Sequence, residues 1–269
     1  MKSIVLILLF LATPFFGKAQ ETTPFTIGET VTFTSEVLKE ERTLNIYLPN
    51  GYDASDKKYP VLYLLDGSAD EDFIHIAGLV QFGSFSWINM LPETIVIGIA
   101  NVDRKRDFTY PSTDKAYKEK YPTTGASAVF MDFIAQELQP FVEKNYKVTE
   151  QKTLLGQSLG GLLATEILFK NPELFDTYII VSPSLWYDYE SLLKMQPVSY
   201  TSDKKIYIAV GEEGTIMKRV AVALYDKLKE EKKGNTKLYY KFLKKQDHGD
   251  ALHLAAYDAF EKLFSEKKN

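Results

Sequence analysis

The sequence predicts a three-layer α/β sandwich, in which a mostly parallel central sheet follows antiparallel N-terminal strands and is covered by helices on both faces. Three observations carry this expectation. First, Val61–Leu65, Ile95–Ile99, Tyr178–Val181 and Ile206–Val210 are continuous apolar runs. Strands buried on both faces, as in a parallel sheet under helices, read this way. Second, stretches of helical spacing alternate with these runs, at 127–146, 160–170, 216–232 and 252–264, which is the rhythm of βαβ units. Third, Thr30–Ser35 and Thr43–Leu48 alternate apolar and polar residues, as half-buried antiparallel strands do.

In chain order, residues 1–19 stand apart from the rest. Met1-Lys2 supplies a short positive start, Ser3–Phe16 is almost wholly apolar, and Gly17-Lys18-Ala19 puts small residues where a signal peptidase inspects them. This predicts a secretory signal peptide cut after Ala19, with Gln20 as the mature N-terminus and a periplasmic or secreted location. The apolar run is too short for a membrane span and lacks a stop-transfer flank, although a retained anchor is the alternative reading. No cysteine follows it, so a lipoprotein route is closed. The chain has no cysteine at all, which excludes disulfides, thiolate metal sites and a cysteine nucleophile.

Residues 20–269 show no repeat, low-complexity linker or composition shift, and are expected to form a single domain. The polar stretch Gln20–Thr26 reads as a loose leader, and Lys39-Glu40-Glu41 suits a hairpin connection between the first two strands. Asn171-Pro172 stops the helix over 160–170, because proline cannot continue it. Leu238–Leu243 supplies a last strand. Removal of Lys2 and Lys18 leaves 30 basic against 36 acidic residues. With the basic residues scattered, this balance argues against a nucleic-acid partner.

The chemistry centres on Gly156-Gln157-Ser158-Leu159-Gly160-Gly161, which follows the apolar Thr153-Leu154-Leu155 and opens the helix at Leu162. A G-x-S-x-G between strand and helix is a nucleophile elbow. The turn is too tight for a Cβ at its flanks, and its strain lifts the serine hydroxyl above the sheet at a helix N-terminus. That motif turns the α/β sandwich into an expected α/β-hydrolase fold, with Ser158 as nucleophile. A passive serine in a glycine-rich turn is the bland alternative.

A serine hydroxyl needs a base, and the chain has three histidines, at 75, 248 and 253. His75 precedes the elbow, against the Ser–acid–His order of this fold. His253 sits within the apolar-periodic C-terminal helix. His248, in Gln246-Asp247-His248-Gly249-Asp250, falls between the last strand and the last helix, where the fold places its base. The acid should follow the strand ending at Val210, and Gly211-Glu212-Glu213-Gly214 offers two carboxylates. Glu213 is preferred, with Glu212 or a Ser–His dyad as alternatives. The oxyanion hole would use the N–H of Leu159 and that of Ser68, in Leu65-Asp66-Gly67-Ser68-Ala69, with Gly67 allowing close backbone approach to the substrate.

With these residues placed, the chain resembles the putative-esterase family of α/β-hydrolases. That family includes enterochelin and salmochelin (siderophore) esterases, esterase D-like enzymes, feruloyl esterases and mycolyltransferases, and the siderophore-esterase branch is the most similar. The resemblance rests on Tyr63-Leu64-Leu65-Asp66-Gly67, Asp103–Thr109, the elbow, Ser182-Pro183-Ser184-Leu185-Trp186 and His248-Gly249. It implies Ser158 as nucleophile, His248 as base and the Asp66-Gly67 loop in the oxyanion hole. Gly214 stands where many relatives carry the acid, three residues after the glycine. Thr109-Tyr110-Pro111 replaces a direct Thr-Pro.

Arg104 and Arg106 hang from the C-terminal end of the strand at 95–99, the ligand side of an open α/β sheet. Their forks could grip a substrate carboxylate or catecholate oxygen, with ion pairs to Asp103 and Asp107 as the alternative. Trp186 could wall the pocket or be a buried structural residue. The expected activity is hydrolysis of a small-molecule carboxylic ester through an acyl-Ser158 intermediate, needing no cofactor or metal. The siderophore-type esters (catecholate or trilactone) are the substrates the resemblance suggests. Acyl transfer with the same triad, feruloyl or short-acyl ester hydrolysis, and a non-enzymatic binding module are the competing readings.

Overall fold

The computed structural model describes residues 20–231 and 235–265; the signal-peptide reading of residues 1–19 lies outside them. Eight strands form one sheet among the described residues: β1 (Glu29–Ser35), β2 (Glu40–Tyr47), β3 (Tyr59–Leu64), β4 (Ile95–Ile99), β5 (Val148–Gln157), β6 (Thr177–Val181), β7 (Lys205–Gly211) and β8 (Lys237–Leu243). Their order is β1-β2-β4-β3-β5-β6-β7-β8. β1 pairs antiparallel with β2 and β2 with β4, and every later pairing is parallel. This is the α/β-hydrolase fold, and the antiparallel entry followed by a parallel sheet matches the periodicity.

Side-chain alternation divides the core in two. On one face Val61, Tyr63, Leu154, Ile180, Ile206 and Ile208 are buried beneath α4 (Ser127–Phe133), α5 (Gln139–Asn145), α6 (Leu159–Lys170) and α8 (Gly214–Glu231). On the other, Leu62, Leu64, Ile179, Tyr207 and Ala209 pack under α1 (Phe73–Gly83) and α9 (Ala251–Phe264). With both faces covered, the central strands have no solvent side, which is why they read as unbroken apolar runs. Two short helices, α2 (Arg104–Phe108) and α3 (Lys115–Lys120), follow β4, and α7 (Ser191–Lys194) follows β6.

Two boundaries differ from the sequence expectation, and each has a local cause. The segment 127–146 is not one α-helix, because a π turn at Ile134–Leu138 separates α4 from α5. Pro140 stands at the start of α5, where it can give no N–H to the preceding turn, and the widened turn accommodates it. The β1–β2 connection lies at 36–39 rather than 39–41. Glu137, on the π turn, accepts hydrogen bonds there from Glu36 N at 2.9 Å, Val37 N at 3.0 Å and Ser35 Oγ at 2.5 Å. Lys39, with φ 58°, closes the turn.

Parallel register brings the C-terminal ends of β3, β5, β6 and β7 to one edge: Leu64 is opposite Leu155, Gln157 opposite Val181, and Val181 opposite Ala209. The segments that follow these strands, and the loop after β8, therefore converge above the sheet.

Candidate active site

Ser158 occupies the turn between β5 and α6 with φ 59° and ψ −118°, outside the regions an L-residue ordinarily adopts. The turn is enforced by close packing. A Cβ on Gly156 would stand 2.5 Å from the Gly160 carbonyl oxygen. Ser158 N donates to Val181 O and Ser184 N donates to Ser158 O, each at 3.0 Å, so the loop after β6 braces the elbow from the side. Strain of this kind persists only where its surroundings over-determine it.

His248 lies between β8 and α9, with its side chain about half exposed, and its Nδ1 is 2.5 Å from Glu213 Oε2. Glu213 is almost wholly buried at the start of the turn from β7 into α8. Its Oε1 accepts from Gly211 N at 2.9 Å and from the Ser182 hydroxyl. Burial alone would push the Glu213 carboxyl up. The hydrogen bonds from His248, Ser182 and Gly211 outweigh it and hold the carboxyl below its ordinary range. The hydrogen bond to Glu213 in turn raises the His248 imidazole, against burial and the Arg104 charge, which lower it. Glu212 points elsewhere, pairing with Lys218 Nζ at 2.8 Å at the surface. Gln157 Nε2 donates to His248 O at 2.6 Å, tying the histidine loop to the elbow.

Ser158, Glu213 and His248 line one open cleft of about 700 Å³ with Ser184, Trp186 and Met217. The Ser158 hydroxyl rests 3.3 Å from Ser184 Oγ; among the described residues no hydrogen bond joins it to His248. Such contacts often form only when substrate is bound. A smaller, more enclosed cavity of about 330 Å³ lies at the opposite edge of the sheet, among Pro60, Thr153, Asp176 and Lys205, and none of these candidate residues lines it.

The two proposed oxyanion donors are held separately. Leu159 N is the first N–H of α6, where no intrahelical acceptor exists. Ser68 N donates in no hydrogen bond among the described residues, while its neighbour Gly67 N is used by Ile99 O at 3.0 Å. Gly67 serves a different close approach from the one expected. Its missing Cβ faces the β4 backbone, with Gly98 Cα 2.4 Å from where it would stand, and not the substrate.

The arginines are placed unequally. Arg106 is drawn away from the cleft, with Nη1 2.9 Å from Glu40 Oε2 and Nε 2.7 Å from Asp107 Oδ1. Asp107 is also bound by the fully buried Arg42, at 2.8 Å. The structure therefore does not bring Arg106 to Ser158. Arg104 stays close, but its fork is turned onto Asp66, with Nε 2.6 Å from Oδ1 and Nη2 2.8 Å from Oδ2. Trp186 is 41% exposed and walls the cleft, so it is no buried structural tryptophan. His75 and His253 stack edge-on against each other, ring centroids 4.6 Å apart, between α1 and α9. Neither lines the cleft.

Two residues were missed by the sequence reading. Ser182, at φ 44°, supplies a hydroxyl to the buried Glu213, and Ser184 supplies one beside Ser158. Both sit in the Ser-Pro-Ser segment that carries part of the family likeness, and that segment was the available signal.

An elbow serine, a carboxylate-bound histidine in the same cleft and an open parallel sheet define an ester hydrolase of the α/β-hydrolase class. Residues 35–268 match the family model described as "Putative esterase", and the chain belongs to that family, in its siderophore esterase-like group. It is 30% identical over 207 residues to the ferri-bacillibactin esterase BesA of Bacillus subtilis (strain 168), covering 70% of this chain and 72% of that protein. Among solved structures it is similar to an IroE-like serine hydrolase from Shewanella oneidensis (31% identity, TM-score 0.80, covering 88% of this chain and 80% of the other). It is also similar to the BES protein from Bacillus cereus (25% identity, TM-score 0.77, 90% and 97% covered). No helix among the described residues is long and apolar enough to cross a membrane.

Proposed function

We propose that this enzyme hydrolyses siderophore-type carboxylic esters through an acyl-Ser158 intermediate, with His248 as general base and acid and Glu213 as its orienting carboxylate. The observation that carries the reading is the strained elbow serine in the same open cleft as an imidazole held by a buried glutamate. In the first step the Ser158 Oγ–H proton passes to His248 Nε2 as Oγ bonds to the ester carbonyl carbon. The carbonyl oxygen becomes an oxyanion between the N–H groups of Leu159 and Ser68. The intermediate collapses, the alkoxide leaves with the proton from His248, and the acyl group remains on Oγ. Water, giving its proton to His248, then attacks the acyl carbon, and Ser158 is regenerated as the carboxylic acid departs.

Glu213 keeps Nδ1 protonated, so that Nε2 is the free basic nitrogen, and stabilises the imidazolium formed in each step. The open face of the cleft gives water access to the acyl-enzyme. The likeness to the ferri-bacillibactin esterase of Bacillus subtilis supports the siderophore class. An exposed indole at the rim suits a planar aromatic group on such a substrate. The apolar leader at residues 1–19 supports export.

The test is hydrolysis of a panel of catecholate siderophores, feruloyl esters and short p-nitrophenyl esters, with Ser158→Ala as the blank. Turnover of the siderophores, lost in Ser158→Ala, is the expected result. Cleavage of short acyl esters alone would remove the siderophore assignment, and equal rates in wild type and Ser158→Ala would remove the hydrolase mechanism.

A further inference from the structure

The cavity of about 330 Å³ at the edge of the sheet away from Ser158 is built by strand register. Leu62 is opposite Thr153, Thr153 opposite Thr177, and Thr177 opposite Lys205. Each lies two residues before an apolar residue packed under α1 and α9, namely Leu64, Leu155, Ile179 and Tyr207, so all four share that face of the sheet. This row forms one wall of the cavity, and Leu91, Pro92 and Phe264 add apolar surface beside it.

The polar members of the row lack partners within the chain. Thr153 and Thr177 are buried and line the cavity, yet neither hydroxyl takes part in a hydrogen bond among the described residues. The Lys205 ammonium lies 5.0 Å from the Phe264 ring centre and forms no ion pair among the described residues. Burial, and then the Lys237 charge, push this ammonium down against the pull of Asp176. Buried polar groups ordinarily find partners, and a desolvated ammonium gains from an incoming carboxylate.

The more exposed lining has the opposite charge. It includes Asp176, Asp203 and Glu150. Asp176 Oδ2 accepts from Lys152 N at 2.8 Å, and Asp203 Oδ1 accepts from Asn235 Nδ2 at 2.6 Å, which leaves the second oxygen of each without a hydrogen bond among the described residues. A simple carboxylic acid would have to pass these negative groups, and a simple amine would be repelled by Lys205. A zwitterion satisfies both ends.

We propose that this cavity is a second ligand site, for an α-amino acid with a large apolar side chain. The carboxylate sits against Lys205 and the two threonine hydroxyls, the ammonium faces Asp176 and Asp203, and the side chain packs on Leu62, Leu91 and Phe264. Ligand pockets run from roughly 300 to 1,000 Å³, so a cavity of about 330 Å³ suits a molecule of this size. The site is separate from the Ser158 cleft and stands independently of the hydrolase reading.

The test is isothermal titration of the protein with L-phenylalanine, with 3-phenylpropionate, which lacks the amino group, and with 2-phenylethylamine, which lacks the carboxylate. L-Phenylalanine is expected to bind with a Kd below about 1 mM, and each analogue about ten-fold more weakly or worse. Lys205→Met, which keeps an apolar stem, and Thr177→Val, which exchanges a hydroxyl for a methyl group, should each weaken L-phenylalanine binding about ten-fold. No binding up to about 10 mM, or wild-type affinity in both variants, would overturn the proposal. So would either analogue binding as tightly as the amino acid, which would make this a carboxylate site or an amine site. Thr177→Val decides the matter if Lys205→Met does not fold.

Discussion

His248 Nδ1 and Glu213 Oε2 stand 2.5 Å apart, joining the loop after β8 to the turn after β7. A histidine with an exposed flank and a carboxylate shielded from solvent make an asymmetric pair: the carboxylate is fixed by its own donors and the ring is free to face the cleft. Glu213→Gln keeps the volume but reverses the favoured tautomer. It should lower kcat by about 10³–10⁴-fold with little change in KM, whereas Glu212→Gln should stay within about two-fold of wild type. Steady-state kinetics on a p-nitrophenyl ester separates the two, and equal losses would dissolve the distinction between these glutamates.

The same pair sets the pH dependence. With His248 as the proposed base, catalysis needs the neutral imidazole, and the hydrogen bond to Glu213 raises His248 above its ordinary value. Activity is therefore lost as pH falls through a midpoint higher than about 6.5, the ordinary histidine value. In Glu213→Gln the residual kcat/KM should have its acidic limb at lower pH, because the stabilising carboxylate is gone. Profiles recorded over about pH 5 to 9 report the limb directly. A shift to higher pH in the variant would contradict the assignment.

Ser182 donates its hydroxyl to Glu213 from the end of β6. Ser182→Ala removes one of the donors that keep the buried carboxylate ionised, a hydrogen bond to a charged group whose loss should lower kcat about ten-fold. The expected signature is a fall in kcat together with a modest fall in melting temperature, because a buried charged group loses a donor. Full activity in Ser182→Ala would mean that Gly211 and His248 suffice.

Gly156 has no room for a side chain beneath the elbow. Gly156→Ala should cost about 1–3 kcal/mol from overpacking, which lowers Tm by about 2–12 °C in a domain of this size, together with loss of activity as Ser158 is displaced. Calorimetry and kinetics on the one variant check both.

Trp186 offers an exposed aromatic face to the cleft. Trp186→Ala should raise KM about ten-fold for esters with an aromatic acyl group and less than about two-fold for acetyl esters. Equal effects on both would take Trp186 out of substrate recognition.

Much of this was legible in the linear sequence. The buried strands announced themselves because helices cover both of their faces, and the elbow because its glycines are required at fixed spacing by a local clash. His248 followed from chain order, the other histidines falling before the elbow or within a packed helix. Glu213 could not be separated from Glu212 in this way. Adjacent carboxylates differ only in which one the turn from β7 into α8 buries, and that is settled by Gly211 and Ser182 from two different strand ends. The arginines were equally opaque. Arg104 and Arg106 lie on one short helix, yet Arg106 is claimed by Glu40 from β2 and Arg104 by Asp66 after β3. Both partners are remote in sequence.

By itself, then, the sequence determined what depends on local sterics and periodicity: the strand and helix rhythm, the α/β-hydrolase class, the elbow at Ser158 and the loop bearing His248. Tertiary structure decided everything that depends on which polar group finds which partner once water is excluded. It buried Glu213 and left Glu212 at the surface, and it turned the Arg104 fork onto the loop that carries Ser68. It also set Ser182 beside Glu213 and Ser184 beside Ser158. Such pairings are long-range choices, made by parallel strands that bring their C-terminal ends to one edge, and no local pattern encodes them.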